Sequence, residues 1–350
     1  MTVIESTGRR SWLIVLPTLL LALIAAAWTG LWFYAAHTAE QTIEAWMARE
    51  AALGRVYRCG SREVGGYPFR FEVRCTDPSA EIAAEPAPLV LKAGGLVAVA
   101  QIYQPSLVIA ELTGPLTFAE LGRPPVASAN WTLAQASLRG TPGDPERVSV
   151  AVDALKLDRL DGTQTQPLGG AKHVEMHGRR DPNGSATEPL FDFAMRADGA
   201  TVAAVRGLLA QPFAVEIETV LSGVRDLTPK SVPARLREWQ ANGGKLTINK
   251  ARFDQGTLVA QAAGDLQLSP NGRLDGLLRV TMAGIERLGP ALSALGGQSG
   301  ALQAGVLAGL AFLGKPAELD GKRAVEVPLR FADGAITFGP IPVGQTPPLF

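Results

Sequence analysis

The chain has 350 residues, with 33 Lys and Arg against 33 Asp and Glu and no net charge, which excludes a strongly basic nucleic-acid binder and a strongly acidic tail. Hydrophobic residues make up 47% and charged residues 19%, too apolar for a disordered chain and long enough for one large domain or two smaller ones. Its 38 Gly and 25 Pro argue against an all-helical bundle, and its 2 Cys are too few for a disulfide scaffold or a four-cysteine zinc site.

Residues Trp12 to Tyr34 carry no charge. At about 1.5 Å per residue such a helix spans the roughly 30 Å hydrocarbon core of a bilayer. Arg9 and Arg10 precede it directly, and the next Lys or Arg is Arg49. The positive-inside bias therefore places residues 1–11 in the cytoplasm and the rest of the chain outside. Trp12 at the near end and Trp28, Trp32 and Tyr34 at the far end are expected as interface anchors. A cleaved signal peptide ending near Ala25-Ala26-Ala27 is the alternative, and both readings give export. Residues 35–54 continue as a stalk helix, with Ile43, Trp46, Met47 and Leu53 at near-helical spacing and Gly54 as its stop. Residues 55–350 form the exported domain.

Cys59 and Cys75 flank a turn cluster, Gly65-Gly66-Tyr67-Pro68, and the alternating run Phe69-Arg-Phe-Glu-Val-Arg-Cys75. A hairpin here puts both sulfurs at its open end, within bridging reach. An exported setting favours a disulfide, worth roughly 3 kcal/mol by loop closure. Two free thiols or a redox pair are the alternatives, the latter without a C-x-x-C spacing.

Beyond this the chain alternates apolar and polar residues with period two. The runs are Val148–Asp158, Phe191–Ala197, Phe213–Val220, Lys245–Lys250, Gly256–Leu268, Arg273–Met282, Ala324–Phe331 and Ala335–Phe338. Asp181-Pro-Asn-Gly, Ser269-Pro-Asn-Gly and Asp333-Gly334 supply hairpin turns between them. This is a meander of antiparallel strands. Four segments read as helices: Thr201–Leu209, Pro233–Asn242, Ile285–Leu295 and the uncharged Ala301–Leu313. The last is too short to span a bilayer. It is either a helix buried under the sheet or one that lines a lipid-binding concavity or lies at the membrane surface through Leu302, Val306, Leu310, Phe312 and Leu313. Residues 163–170 offer a boundary between two β-rich halves, unless one sheet runs through them. The fold class expected is mainly β with some α (α+β): a transmembrane helix over 12–34, then a curved antiparallel sheet with a few packed helices.

Two clusters carry a family resemblance. One is Val64-Gly-Gly-Tyr-Pro-Phe-Arg-Phe-Glu-Val-Arg-Cys75, with Cys59 before it and Val99-Ala-Gln-Ile-Tyr-Gln-Pro105 after it. The other is Pro328-Leu-Arg-Phe-Ala-Asp-Gly-Ala-Ile-Thr-Phe-Gly-Pro-Ile-Pro342. With the N-terminal anchor, they resemble the domain of unknown function 2125, an uncharacterised family of Gram-negative envelope proteins, over nearly the whole chain. The anchored meander is also similar in style to the longer AsmA-like envelope proteins, which implies lipid handling between two membranes. Neither resemblance supplies catalytic residues.

Little else carries chemistry. His173, Glu175 and His177 share one face of a strand and are weak candidates for a metal, because alternate strand positions some 6–7 Å apart strain three-point chelation. The alternative is a solvated strand face. No nucleophile elbow or phosphate-binding loop stands in a suitable context. Tyr67, Phe69 and Phe71 are either the lip of a ligand groove or turn and core packing. The resulting expectation is a non-enzymatic, single-pass inner-membrane protein with a periplasmic domain and no cofactor. Its partners are the membrane and a phospholipid or other envelope lipid held in an apolar concavity of the sheet. A scaffold without a groove is the alternative, and a metal-dependent periplasmic enzyme the third reading.

Overall fold

The computed structural model describes residues 11–350 apart from 84–87, 142–143, 163, 186, 204–210, 226, 229, 288–313 and 340. It begins with one helix, α1 (Ser11–Ala52). No glycine or proline lies between Leu31 and Leu53 to interrupt it, so the apolar segment and the expected stalk are a single rod. Val15–Ala52 contains a window long and apolar enough to cross a membrane. Gly54, at φ 79°, turns the chain into the sheet.

The sheet is an antiparallel meander. Its first five long strands are each broken once, giving β1 (Arg55–Arg58) with β2 (Ser61–Gly65), β3 (Arg70–Thr76) with β4 (Ser79–Ile82), β5 (Leu89–Lys92) with β6 (Gly95–Gln101), β7 (Gln104–Thr113) with β8 (Leu116–Glu120), and β9 (Ala127–Asn130) with β10 (Leu133–Thr141). Both halves of each pair with both halves of the next. β9 and β10 then meet the two halves of one 18-residue strand, β11 (Asp144–Asp161). The meander continues through β12 (Gln164–Arg180), β13 (Phe191–Val202), β14 (Phe213–Leu221), β15 (Leu246–Gln255), β16 (Leu258–Leu268) and β17 (Leu274–Ala283). Next comes β19 (Lys322–Ala332), whose far edge is shared by β18 (Lys315–Leu319) and β20 (Ala335–Phe338), and β21 (Ile341–Gln345) ends the sheet. Among the described residues no strand of the first edge pairs with the last, so the curved sheet is open. Residues 164–170, where the sequence offers a boundary, form the start of β12, which pairs with β11 and β13.

The breaks line up as a crease across the first six long strands, at Cys59-Gly60, Asp77-Pro78, Ala93-Gly94, Gly114-Pro115, Trp131-Thr132 and Ala154. Asp77 and Ala154 sit at φ 45° and 51°, conformations that L-residues adopt only when their surroundings impose them. A Cβ on Gly94 would meet the Gly114 carbonyl oxygen at 2.9 Å, so the crease needs glycine there. Cys59 and Cys75 are bridged, with Cα atoms 5.4 Å apart. The bridge stands at the open end of the β2–β3 hairpin, as the sequence suggests, and that end coincides with the crease. Cys59 lies in the crease of the first long strand, and Cys75 faces it from β3.

The three expected turns all close hairpins, at 181–190, 269–273 and 333–334. The helix expected at Pro233–Asn242 is α2 (Val232–Ala241), with proline in its first turn. Its Trp239 is buried with Phe191, Val224 and Leu268, and Leu221, Leu246, Leu274 and Phe350 complete this core at one end of β13–β17. The Trp239 Nε1–H donates to the Ser222 carbonyl at 2.6 Å, which satisfies the indole inside the cluster. A second core, Val327 and Phe338, lies under Val280, Met282 and Leu329. Of the other expected helices, Thr201 and Val202 finish β13 instead, Ile285–Arg287 is one 3-10 turn, and 204–210, 288–295 and 301–313 lie outside the described residues. Leu302, Val306, Leu310, Phe312 and Leu313 are therefore outside them too.

Candidate functional site

Period-two alternation in a meander with unbroken register collects apolar side chains on one face of the sheet. Near the first edge, Val64, Val73, Ala98, Ala110 and Ala136 occupy successive register positions from β2 to β10. Val150, Met176, Met195, Ile217 and Ala251 carry the row onward from β11 to β15. Ala262, Val280 and Val327 extend it to β19. At about 4.8 Å per strand the row is about 60 Å long. Parallel rows, such as Phe71–Ala100–Val108–Leu138–Val148, make it a band.

Over β12 and β13 the band is open to solvent: Met176 is 45% and Phe193 46% exposed. An apolar band left uncovered in this way marks an interaction surface.

The opposite face is charged and internally paired. Arg179 binds Asp192 at 2.8 Å, Lys250 binds Glu216 at 2.7 Å, and Arg252 bridges Asp254 and Asp320 at 2.6 and 2.5 Å. A depression of about 540 Å³ opens among Arg147, Ser149, His177, Arg179, Asp192 and Glu218. The concavity expected from sequence was apolar, whereas this one is lined by charge, and the apolar band is an open surface.

His173 lies on this polar face. Its Nδ1 meets Asp153 Oδ1 at 2.5 Å and its Nε2 meets Glu175 Oε1 at 2.8 Å. Two carboxylates against the two ring nitrogens favour the doubly protonated ring, which donates to both. Asp153 first and Glu175 second raise the His173 pKa above its ordinary value, and His173 in turn lowers that of Glu175. His177 Nε2 is 3.7 Å from Glu175. Among the described residues no group of three His, Cys, Asp or Glu side chains is disposed to hold a metal ion. Asp153 belongs to the neighbouring strand; the sequence alone reads it as part of a solvated strand edge, and the β11–β12 register brings it opposite His173.

At the first edge α1 lies against the domain. Trp28 Nε1–H donates to the Pro68 carbonyl at 3.0 Å. Thr29 gives its hydroxyl proton to Ala25 O, so its 2.7 Å bond with Tyr67 takes the phenol as donor. Trp32 is buried, stacked on Phe71 at 5.9 Å and edge-on to Tyr67 at 5.5 Å. Phe71 is thus a helix-docking residue, and Trp32, expected as an interface anchor, packs inside the domain. Trp12 and Tyr34 are exposed, and Phe69 projects from its turn into solvent. Further along, Glu44 and the Met47 sulfur receive Arg62, the one charge that β2 sends to the apolar face. Trp46 stacks on Tyr57 at 5.0 Å, and Glu50 pairs with Arg55. The helix that is long and apolar enough to cross a membrane therefore closes the first edge of the sheet, beside the beginning of the apolar band.

A profile of the family described as an uncharacterised protein conserved in bacteria, domain of unknown function 2125, matches residues 32–347. The chain belongs to this family. No functionally curated protein matches it. The matched region begins at Trp32, the residue that docks the helix, and covers the whole meander, so the helix–sheet junction and the band are family territory.

Proposed function

We propose that this protein is a membrane-anchored envelope protein that holds and guides lipid acyl chains along the apolar face of its sheet, with the domain in the periplasm. The observation that carries the proposal is the continuity of the apolar band with the membrane helix. The band runs from Val64, Phe71 and Val73, beside α1, past the uncovered Met176 and Phe193 to Val327. A surface of this kind stabilises a bound chain by about 0.8 kcal/mol for each methylene removed from water, and shape alone selects the ligand. The paired charges of the other face keep that face in water and give the sheet two unlike sides.

Photocrosslinking in cells tests it. A benzophenone amino acid is placed at Met176 or Met195 on the apolar face and at Asp192 or Arg196 on the polar face of the full chain. Light-dependent phospholipid adducts at the first pair alone are the expected result. Protein adducts with no lipid at these positions would favour a scaffold role instead.

A further inference from the structure

We propose that the tips of the first and third hairpins of the meander, both at one end of the sheet, are inserted in the membrane interface, on the domain's side of the bilayer that α1 crosses. These tips are Tyr67-Pro68-Phe69, between β2 and β3, and Ile102-Tyr103, between β6 and β7. The inference rests on α1 spanning a bilayer and is independent of the lipid-guiding reading.

The helix itself sets the height. Trp12 marks the near boundary of the apolar segment, and Trp28 follows it by about 24 Å along the axis, at 1.5 Å per residue. The hydrocarbon core is about 30 Å thick. Trp28 and Thr29 therefore lie just inside its far boundary, and these are the residues bonded to Pro68 and Tyr67. The second tip is fixed to the first, because the Ile102 N–H donates to the Phe69 carbonyl at 3.2 Å. At this height Phe69 is 66% and Tyr103 76% exposed, a poor arrangement in water and the usual one for aromatic rings at headgroup level.

The turns further from α1 on the same end of the sheet are of another kind. β10 and β11 are joined beside an Arg180–Asp144 ion pair, and the next turn is Asp181-Pro182-Asn183-Gly184, with Asn183 bonded to Asp181. Among the described residues, the exposed aromatic tips on this end of the sheet are those of the two hairpins that the helix holds at the bilayer. They stand where the apolar band begins, so the inserted tips bring the band's first residues to the acyl boundary.

The test uses the full chain in phospholipid vesicles, with single cysteines labelled by an environment-sensitive nitrobenzoxadiazole dye under non-reducing conditions. Phe69→Cys and Tyr103→Cys report the tips. Arg123→Cys, on the opposite end of the sheet, reports water, and Leu21→Cys reports the bilayer core. The tip probes are expected to show blue-shifted emission and at least twofold quenching by lipids with a nitroxide near the headgroup, Leu21→Cys to be quenched by lipids with a nitroxide deep in the acyl chain, and Arg123→Cys to be unchanged by either. Tip probes that behave like Arg123→Cys while Leu21→Cys is quenched would overturn the proposal and leave the membrane span intact. No quenching at any position, Leu21→Cys included, would overturn both.

Discussion

A charge placed on the uncovered part of the apolar band should remove bound lipid and leave the fold standing. The double variant Met176→Asp/Phe193→Asp puts two carboxylates on adjacent strands, β12 and β13, as a diagonal pair about 7–8 Å apart. Both side chains are nearly half exposed, so each loses only part of the 1.5–3 kcal/mol that full burial would provide, about 1 kcal/mol. The melting temperature should fall by a few degrees. A bound acyl chain loses more. Displacing about three methylenes from the face costs about 2.4 kcal/mol, roughly a 50-fold loss of affinity, before any cost of desolvating the new charges. The matched controls are Ile109→Asp and Leu277→Asp, which are equally exposed but lie on the opposite face. The assay is mass spectrometry of solvent extracts of the full-length chain purified in detergent, where lipid held by α1 is a background common to all variants. Equal lipid loss in the controls, or full retention in the double variant, would refute the reasoning.

Three further outcomes follow from the packing and the charges. Replacing both Cys59 and Cys75 by serine should lower unfolding stability by about 3 kcal/mol in the loop-closure account, read from the denaturant midpoint; an unchanged midpoint would mean the crease is held without the bridge. Trp239→Ala should cost about 3–5 kcal/mol, visible as early proteolysis around α2, because it empties the core of Phe191, Val224 and Leu268 and orphans the Ser222 carbonyl. The raised pKa of His173 gives a stabilisation that is complete below about pH 6.5 and lost as the pH rises through its higher folded value. The lowered pKa of Glu175 works in the opposite sense, its share being lost as the pH falls through its folded value. The stability difference between the wild type and His173→Gln should therefore be largest on the acid side of the ordinary histidine value and shrink as the pH rises through the raised pKa of His173; a difference that grows with pH would contradict the ion-pair geometry.

The later half of the meander was legible because its strands carry strict alternation, as in Phe213-Ala-Val-Glu-Ile-Glu, and are punctuated by Pro-Asn-Gly and Asp-Gly turns. The strands between residues 89 and 141 were not. Gly95-Leu-Val-Ala-Val-Ala-Gln is apolar on both faces, and alanines such as Ala98, Ala110 and Ala136 give weak period-two contrast. The crease was hidden because no residue type marks it. It falls on Asp77, Gly94, Gly114 and Ala154, and only the register shows that these positions align. The disulfide pairing could be read, but its place at the crease could not, because β1 and β2 look like one strand in sequence. The apolar band was implied by alternation, but its exposure depends on what covers the sheet, which no local pattern records. Tyr103 gave no signal as a lone aromatic; it acquires meaning only beside Phe69, at the height fixed by Trp28.

The central claim is that acyl chains lie on the apolar face. The chain has 5 methionines, and Met176 and Met195 stand opposite each other in register at the uncovered middle of the band. With their methyl groups carbon-13 labelled in the full chain in lipid nanodiscs, a phospholipid bearing a nitroxide on its acyl chain should broaden both methyl signals strongly, and a competing unlabelled lipid should restore them. Methyl signals of Met176 and Met195 that stay sharp at saturating spin-labelled lipid would contradict the account.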